Sequence, residues 1–235
     1  MGPAEERIEN GAWRRRRKRG GLMRRIDKRL MAKLAQEHGH DDTPIVYHDR
    51  RWLVRELFWR SHDSLLSLSR PPARRRVLDF GGGNGVLLPT LAPRFDEVVC
   101  VDLHARMARE VVRLFELPNV NIMEGDIFQL KLPDGHFDTI VAASVLEHIR
   151  DLPPLAAEIA RLLAPGGELL VNVPSENRFY ELGRRVFRYT KPPDHYHDAG
   201  YVTDTLRSHL RLDKKRHFPV NLAPLSVFCL LRFIR

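Results

Sequence analysis

Hydrophobic residues in this chain come in short blocks, and the period inside the blocks changes along the sequence. Over 22–35, Met23, Ile26, Leu30 and Leu34 recur at helical spacing while Arg24, Arg25, Lys28, Arg29 and Lys33 take the remaining faces, which predicts a basic amphipathic helix. Such a helix either packs on a domain or lies in a membrane interface, and the pattern suits both. A second helix is predicted over 49–68 through Leu53, Leu57, Trp59 and Leu65 or Leu66, covering one edge of the core until Pro71-Pro72 stops it. The blocks then shorten to strand length, at Val77-Leu78 and at 97–102, 121–124, 137–143 and 169–173. Helical segments over 86–93, up to Glu116 and over 155–163 lie between them, the last ending at Pro165-Gly166-Gly167. This alternation predicts an α/β fold, a doubly wound and mostly parallel sheet with helices on both faces. Two final blocks, 212–219 and 227–234, add an antiparallel hairpin at one edge and bring the count to seven strands.

The first core strand runs into Asp79-Phe-Gly81-Gly82-Gly83-Asn-Gly85. Glycine turns sharply without a Cβ penalty and lets a ligand approach the main chain, so a glycine loop between strand and helix reads as a ligand seat; a purely structural turn is the bland alternative. The dinucleotide pattern G-x-G-x-x-G/A fails, because the sixth position is Val86 counted from Gly81 and Leu88 counted from Gly83. A phosphate-binding loop fails too, for want of Gly-Lys-Ser/Thr. The acid at Asp79 repels pyrophosphate but suits a ligand bearing an ammonium, such as the amino-acid end of S-adenosylmethionine. Asp102 ends the second strand 21 residues after Gly81, where an acid accepts ribose hydroxyls in doubly wound sheets, and Asp126 is placed to meet an adenine amino group.

Composition narrows the class. The 235 residues, 43% of them hydrophobic, suit one α/β domain with appendages. Two cysteines, both in apolar runs, argue against a disulfide framework or cysteine metal site and suit a reducing cytosol. The uncharged stretch 218–231 is too short to span a bilayer and carries Pro219 and Pro224, and the charged start is unlike a signal peptide, so the expected location is cytoplasmic, with peripheral attachment to the inner membrane face as an option. The net charge of +9 divides into +7 over 1–72, −4 over 73–174 and +6 over 175–235: an acidic core between basic flanks. Six consecutive basic residues, Arg14 to Arg19, predict a disordered arm over 1–21, followed by a helical extension over 22–72 and a domain over 73–235 with a lid or insert at 175–200. His38 and His40 read as an exposed polar linker.

VLDFGGGNG, VCVDL, EGDIF, FDTIVAASVLEHI and LLAPGGELLVNVP, in this order over about 75–173, resemble the class I S-adenosylmethionine-dependent methyltransferases. The resemblance implies their Rossmann-like fold and their cofactor, S-adenosylmethionine. It implies that Asp79, Gly81 and Gly83 seat the methionyl part, that Asp102 holds the ribose and that Asp126 with Ile127 flanks the adenine; Gly82, Leu103 and Ser144 are counted with them as cofactor-binding positions. Within that superfamily, Leu146-Glu147-His148 and the insert after the fifth strand are most similar to ubiquinone-biosynthesis O-methyltransferases and related lipid or small-molecule enzymes. Those quinone enzymes carry a further Glu, associated with a divalent metal, where this chain has Ser144, and no metal is expected here.

The expected reaction is methyl transfer to a hydroxyl of a lipophilic or small-molecule acceptor, in which the catalyst positions the acceptor and helps remove its proton. Histidine titrates near neutrality, so His148, beyond the fourth strand, is the candidate base, against a role as a helix cap. His195 and His197 are rivals, or anchors of a lid. Over 176–189, Phe179, Leu182, Val186 and Tyr189 share a helical face with Arg178, Arg184, Arg185 and Arg188 mostly off it, and with the helix at 22–35 this suggests an anionic membrane surface as partner. The base-modifying signature Asn/Asp-Pro-Pro-Tyr/Phe is replaced by Ala143-Ser-Val-Leu146, so a nucleic-acid substrate is not expected. Other readings are a water-soluble natural product or sugar as acceptor, or a non-catalytic cofactor-binding protein using its arginine arm on nucleic acid or a partner.

Overall fold

The computed structural model describes residues 23–39, 45–71, 73–190 and 194–235. The arm expected over 1–21, His40 and the Pro192-Pro193 pair lie outside the described residues. Strands β1 (Arg76–Phe80), β2 (Glu97–Asp102), β3 (Val120–Glu124), β4 (Phe137–Ala143), β5 (Leu163–Pro174), β6 (Arg211–Pro219) and β7 (Ser226–Ile234) form one sheet in the order β3-β2-β1-β4-β5-β7-β6. The first five run parallel, and β7 pairs antiparallel with both β5 and the edge strand β6. The expected hairpin is there, with its second strand inside. β7 is apolar and buried on both faces at Leu230 and Leu231, whereas β6 carries exposed Arg211, Lys214 and Lys215, and charge on an edge strand discourages further pairing.

Two helical layers cover the sheet. Helices α1 (Lys28–His38), α2 (Trp52–Leu66), α3 (Leu88–Leu91) and α4 (Arg106–Leu114) share one core with Val77, Val98, Val141 and Leu170. On the other face α5 (Leu152–Leu162) and α7 (Ala199–Arg207) pack with Leu78, Val99, Ile140 and Val171. Helix α6 (Arg178–Val186) stands at the carboxyl edge and buries no residue fully.

The N-terminal extension starts later than its periodicity predicts. Asp27, as N-cap, accepts the Arg29 N–H at 2.8 Å, so Met23 and Ile26 precede the helix. Both are nevertheless buried, with Met31 and Leu34, and α1 packs against α4. Met23 and Arg24 donate backbone N–H groups to Asp63 (2.6 Å) and Thr90 (2.8 Å). The apolar face of this helix is thus spent on the core, the packed one of the two placements its pattern suits. Asp27→Ala is expected to lower stability by about 1 kcal/mol in urea unfolding, with an unchanged midpoint arguing that the helix starts elsewhere. The helix expected over 86–93 shrinks to α3 and a 3-10 turn, Ala92–Arg94: Gly85 is left-handed at φ +69° and Asn84 accepts the Val86 N–H, so the glycine turn runs on past Gly85 before the helix begins at Leu88.

Candidate active site

Backbone contacts build a tight cradle at the carboxyl ends of β1 and β2. Gly81 donates its N–H to Val101 (2.8 Å), and Ala108, in the first turn of α4, donates to the Gly83 carbonyl (2.9 Å). Asp102 organises the loop: one carboxylate oxygen accepts the Gly83 N–H at 2.8 Å and the other the His104 N–H at 2.9 Å. A Cβ on Gly83 would sit 2.3 Å from the His104 carbonyl oxygen, and one on Gly81, at φ +74°, 2.4 Å from the Val145 side chain. Only glycine fits between β2 and the chain leaving β4.

Asp79 lies under this loop, 2% exposed, and a Cβ on Gly82 would meet its carboxylate at 2.4 Å. Burial, then the nearby Asp102 charge, push its carboxyl up to about 7. The N-terminal extension walls the underside. The Tyr47 hydroxyl and His62 Nε2 lie 2.6 Å apart, and Asn172 donates to Ser61 at 3.2 Å. Burial drives His62 down to about 4 and, with the Asp79 charge, raises Tyr47 well above the usual phenol range. Asp126 accepts the Phe128 N–H at 3.0 Å. Leu103 and Phe128 stand exposed on the loops after the second and third acids, whereas the Ile127 side chain is in the core, so only its backbone can flank a ligand. Ser144 has φ +56° and donates its N–H to Asn172 (2.8 Å).

The second part of the site follows directly. A 3-10 turn, Leu146–His148, leaves β4, and Tyr196 donates its N–H to the Glu147 carbonyl at 2.9 Å, drawing the insert over the turn. Two histidine–carboxylate pairs result: His148 Nδ1 with Asp194 and His195 Nδ1 with Glu176, each at 2.6 Å. The two rings meet edge to face with centroids 4.6 Å apart. Glu147 is buried; desolvation, with the Glu176 and Asp194 charges, lifts it to about 8. Burial lowers His195 despite the opposing pull of Glu176; burial is the largest influence on Asp194 and works to raise it, but the His148 hydrogen bond and charge, with a backbone hydrogen bond and the His195 charge, together hold it low. His197 is not part of this cluster. Its ring stacks on Tyr201 at 4.2 Å, and its Nε2 lies 3.2 Å from the Arg150 carbonyl.

Against the expectation of no metal, the fold brings donor atoms of Glu147, His148 and His195 within 4.8 Å of one another, a set able to hold an ion. Tyr47, His62, Asn172, Glu176 and Asp194 carry no motif that marks them as site residues in the sequence. The only hint was polarity in apolar surroundings, as for His62 beside Trp59 and Leu65. A cavity of about 380 Å³, lined among others by Arg74, Arg94 and Thr139, lies toward the amino ends of β1 and β4, away from these groups.

Residues 78–171 match the family described as Methyltransferase domain. Over that segment, less than half of the chain, the protein is similar to methyltransferase domains. The residues present fit S-adenosylmethionine, the cofactor implied by the sequence resemblance: the glycine cradle excludes side chains, and Asp79 Oδ2, Ser144 Oγ and Asn172 Oδ1, at the ends of three neighbouring strands, are buried without a hydrogen-bond partner in the described structure. An uncharacterized methyltransferase of Mycobacterium bovis is 34% identical over 110 residues, 47% of this chain and 56% of the relative; the chain thus spans about half the length of the mycobacterial proteins it matches. The ubiquinone/menaquinone biosynthesis C-methyltransferase UbiE of a Shewanella species is 29% identical over 184 residues, covering 70% and 71%. The N-methyltransferase NodS of Bradyrhizobium japonicum, solved with S-adenosyl-L-homocysteine, shares the fold at TM-score 0.62 and 22% identity, over 87% of this chain and 97% of NodS. With a carbon and a nitrogen methyltransferase among these relatives, likeness does not select the accepting atom.

Proposed function

We propose that this protein transfers a methyl group from S-adenosylmethionine to a hydroxyl oxygen of a lipophilic acceptor. The observation that carries the oxygen chemistry is the His148–Asp194 pair at the carboxyl edge, a base held by a carboxylate within one turn of the cofactor cradle. Bound there, the cofactor supplies an electrophilic methyl on a sulfonium. The loop at Gly81, Gly82 and Gly83, with Asp79, seats its amino-acid end; Asp102, beside Leu103, takes the ribose, and Asp126 with the Ile127 backbone takes the adenine. His148 accepts the proton of the acceptor hydroxyl, while Asp194 fixes the ring through Nδ1 and stabilises the imidazolium. The test is the His148→Ala turnover assay set out in the Discussion.

The lipophilic part rests on the surface beside the cluster. Phe179, Leu182 and Val186 of α6 are 41%, 57% and 67% exposed, and Val220, Leu222 and Leu225 stand out on the β6–β7 tip. Asn177 joins the two: its side chain accepts the Tyr180 N–H at 2.8 Å and donates to the Ala223 carbonyl at 2.6 Å. Arg178, Arg185 and Arg188 are exposed around this patch, a composition suited to an anionic interface. Tyr189, expected on the apolar face, instead hydrogen-bonds Asp49 through its hydroxyl and packs under Arg51, fastening the helix to the extension. Among the described residues no helix is long and apolar enough to cross a membrane.

Co-sedimentation with vesicles containing phosphatidylglycerol is therefore expected at low salt, with weaker binding at high salt or on neutral vesicles. Leu182→Asp with Val186→Asp should reduce it further. Protein that stays in the supernatant with anionic vesicles at low salt would transfer the proposal to a water-soluble acceptor.

A further inference from the structure

We propose that Glu147, His148 and His195 form a binding site for one divalent transition-metal ion. The inference concerns the same cluster as the methyl-transfer reading but does not depend on transfer. One donor atom from each residue lies within 4.8 Å of the others. Both imidazoles are already oriented as metal ligands are: each has its Nδ1 tied to a carboxylate at 2.6 Å, Asp194 for His148 and Glu176 for His195, which leaves Nε2 as the available nitrogen. Metal-bound histidines characteristically give their second nitrogen to a carboxylate, fixing tautomer and ring direction. The third donor has its own reason to want a cation. Glu147 Oε2 is buried and has no hydrogen-bond partner in the described structure, and a buried carboxylate oxygen without one is costly.

The donor set selects the ion. Two imidazoles and one carboxylate suit zinc, manganese, iron or cobalt, whereas magnesium and calcium favour all-oxygen sites. Three protein ligands leave a coordination position open, the arrangement of reactive rather than purely structural zinc centres. When bound, such an ion lowers the pKa of a hydroxyl placed on it, and His148 then serves as ligand instead of base. Glu147 and His148 come from the turn after β4 and His195 from the insert, so an ion also staples the insert to the core.

The test uses the full chain, freed of any affinity tag and dialysed against EDTA, and reads zinc binding by calorimetry and by thermal shift without acceptor or turnover. Uptake of one zinc per chain with a raised melting temperature is expected, at least a hundredfold tighter than magnesium. Glu147→Gln, which preserves shape, and His195→Ala should each weaken zinc binding at least tenfold, while His197→Ala leaves it unchanged. Binding of S-adenosylhomocysteine by each variant reports that it is folded. No stoichiometric uptake, or uptake unchanged in folded Glu147→Gln and His195→Ala variants, overturns the proposal. Because methyl transfer is not measured, a failure here leaves the His148 reading intact, and a dead enzyme that still binds zinc leaves this inference intact.

Discussion

His148→Ala is expected to lower turnover by about a hundredfold to ten-thousandfold while S-adenosylhomocysteine binds as before, since a positioned general base contributes about that much to rate. The separation of the two effects follows from the geometry. The cofactor cradle is built from the ends of β1, β2 and β3, and none of its hydrogen bonds involves the imidazole. The ring is held from the other side, by Asp194 of the insert. Asp194→Asn should therefore lose part of the same rate, because the amide can still hold the ring but cannot stabilise its positive charge. Turnover measured by S-adenosylhomocysteine release with candidate phenolic acceptors, beside calorimetry, reads both. If His148→Ala retains turnover and His195→Ala is inactive, the base is His195, held by Glu176. Zinc titration then tells whether a rate loss reflects a missing base or a missing ligand.

The parallel sheet was legible because its signal is local. Runs such as Val98 to Val101 are apolar at every position, as strands buried on both faces must be, and the glycine turn and the three acids follow at fixed offsets along the chain. The insertion of β7 between β5 and β6 was not, since two apolar blocks do not say which lies inside; the exposed lysines of β6 are the clue in retrospect. Amphipathic periodicity found α1 but left its partner open. It marks a face that must be covered without saying by what, and here α4 and the sheet cover it. The histidine cluster was half legible. Glu147 and His148 adjoin a strand end, but His148 meets Asp194 across 46 residues and His195 meets Glu176 across 19. Contacts of that range carry no periodicity. The same reason hid the Tyr47–His62 pair, which belongs to the cradle only through the packing of the extension under Asp79.

Asp102→Ala is expected to weaken S-adenosylhomocysteine about tenfold to a hundredfold, the loss of a charged hydrogen-bond acceptor being worth about 1.5 to 3 kcal/mol. Two effects act together. In the proposed site the carboxylate takes the ribose hydroxyls, and it already accepts the N–H groups of Gly83 and His104, so its removal leaves both amides without that partner and loosens the loop. Asp102→Asn separates the two. Its amide oxygen can still accept one N–H, but its NH2 faces the other as a second donor, so a partial loss is expected. The substitution also removes a negative charge from beside Asp79, whose carboxyl is pushed up to about 7 by burial and then by Asp102. Asp79 is thus expected to titrate lower in the alanine variant, moving toward but not reaching the range of an exposed aspartate, because desolvation remains the larger cause. Calorimetry gives the affinity, and the carboxyl carbon resonance of Asp79 gives the titration. A folded Asp102→Ala protein that binds with unchanged affinity would remove Asp102 from the site and leave the glycine loop to hold the cofactor alone.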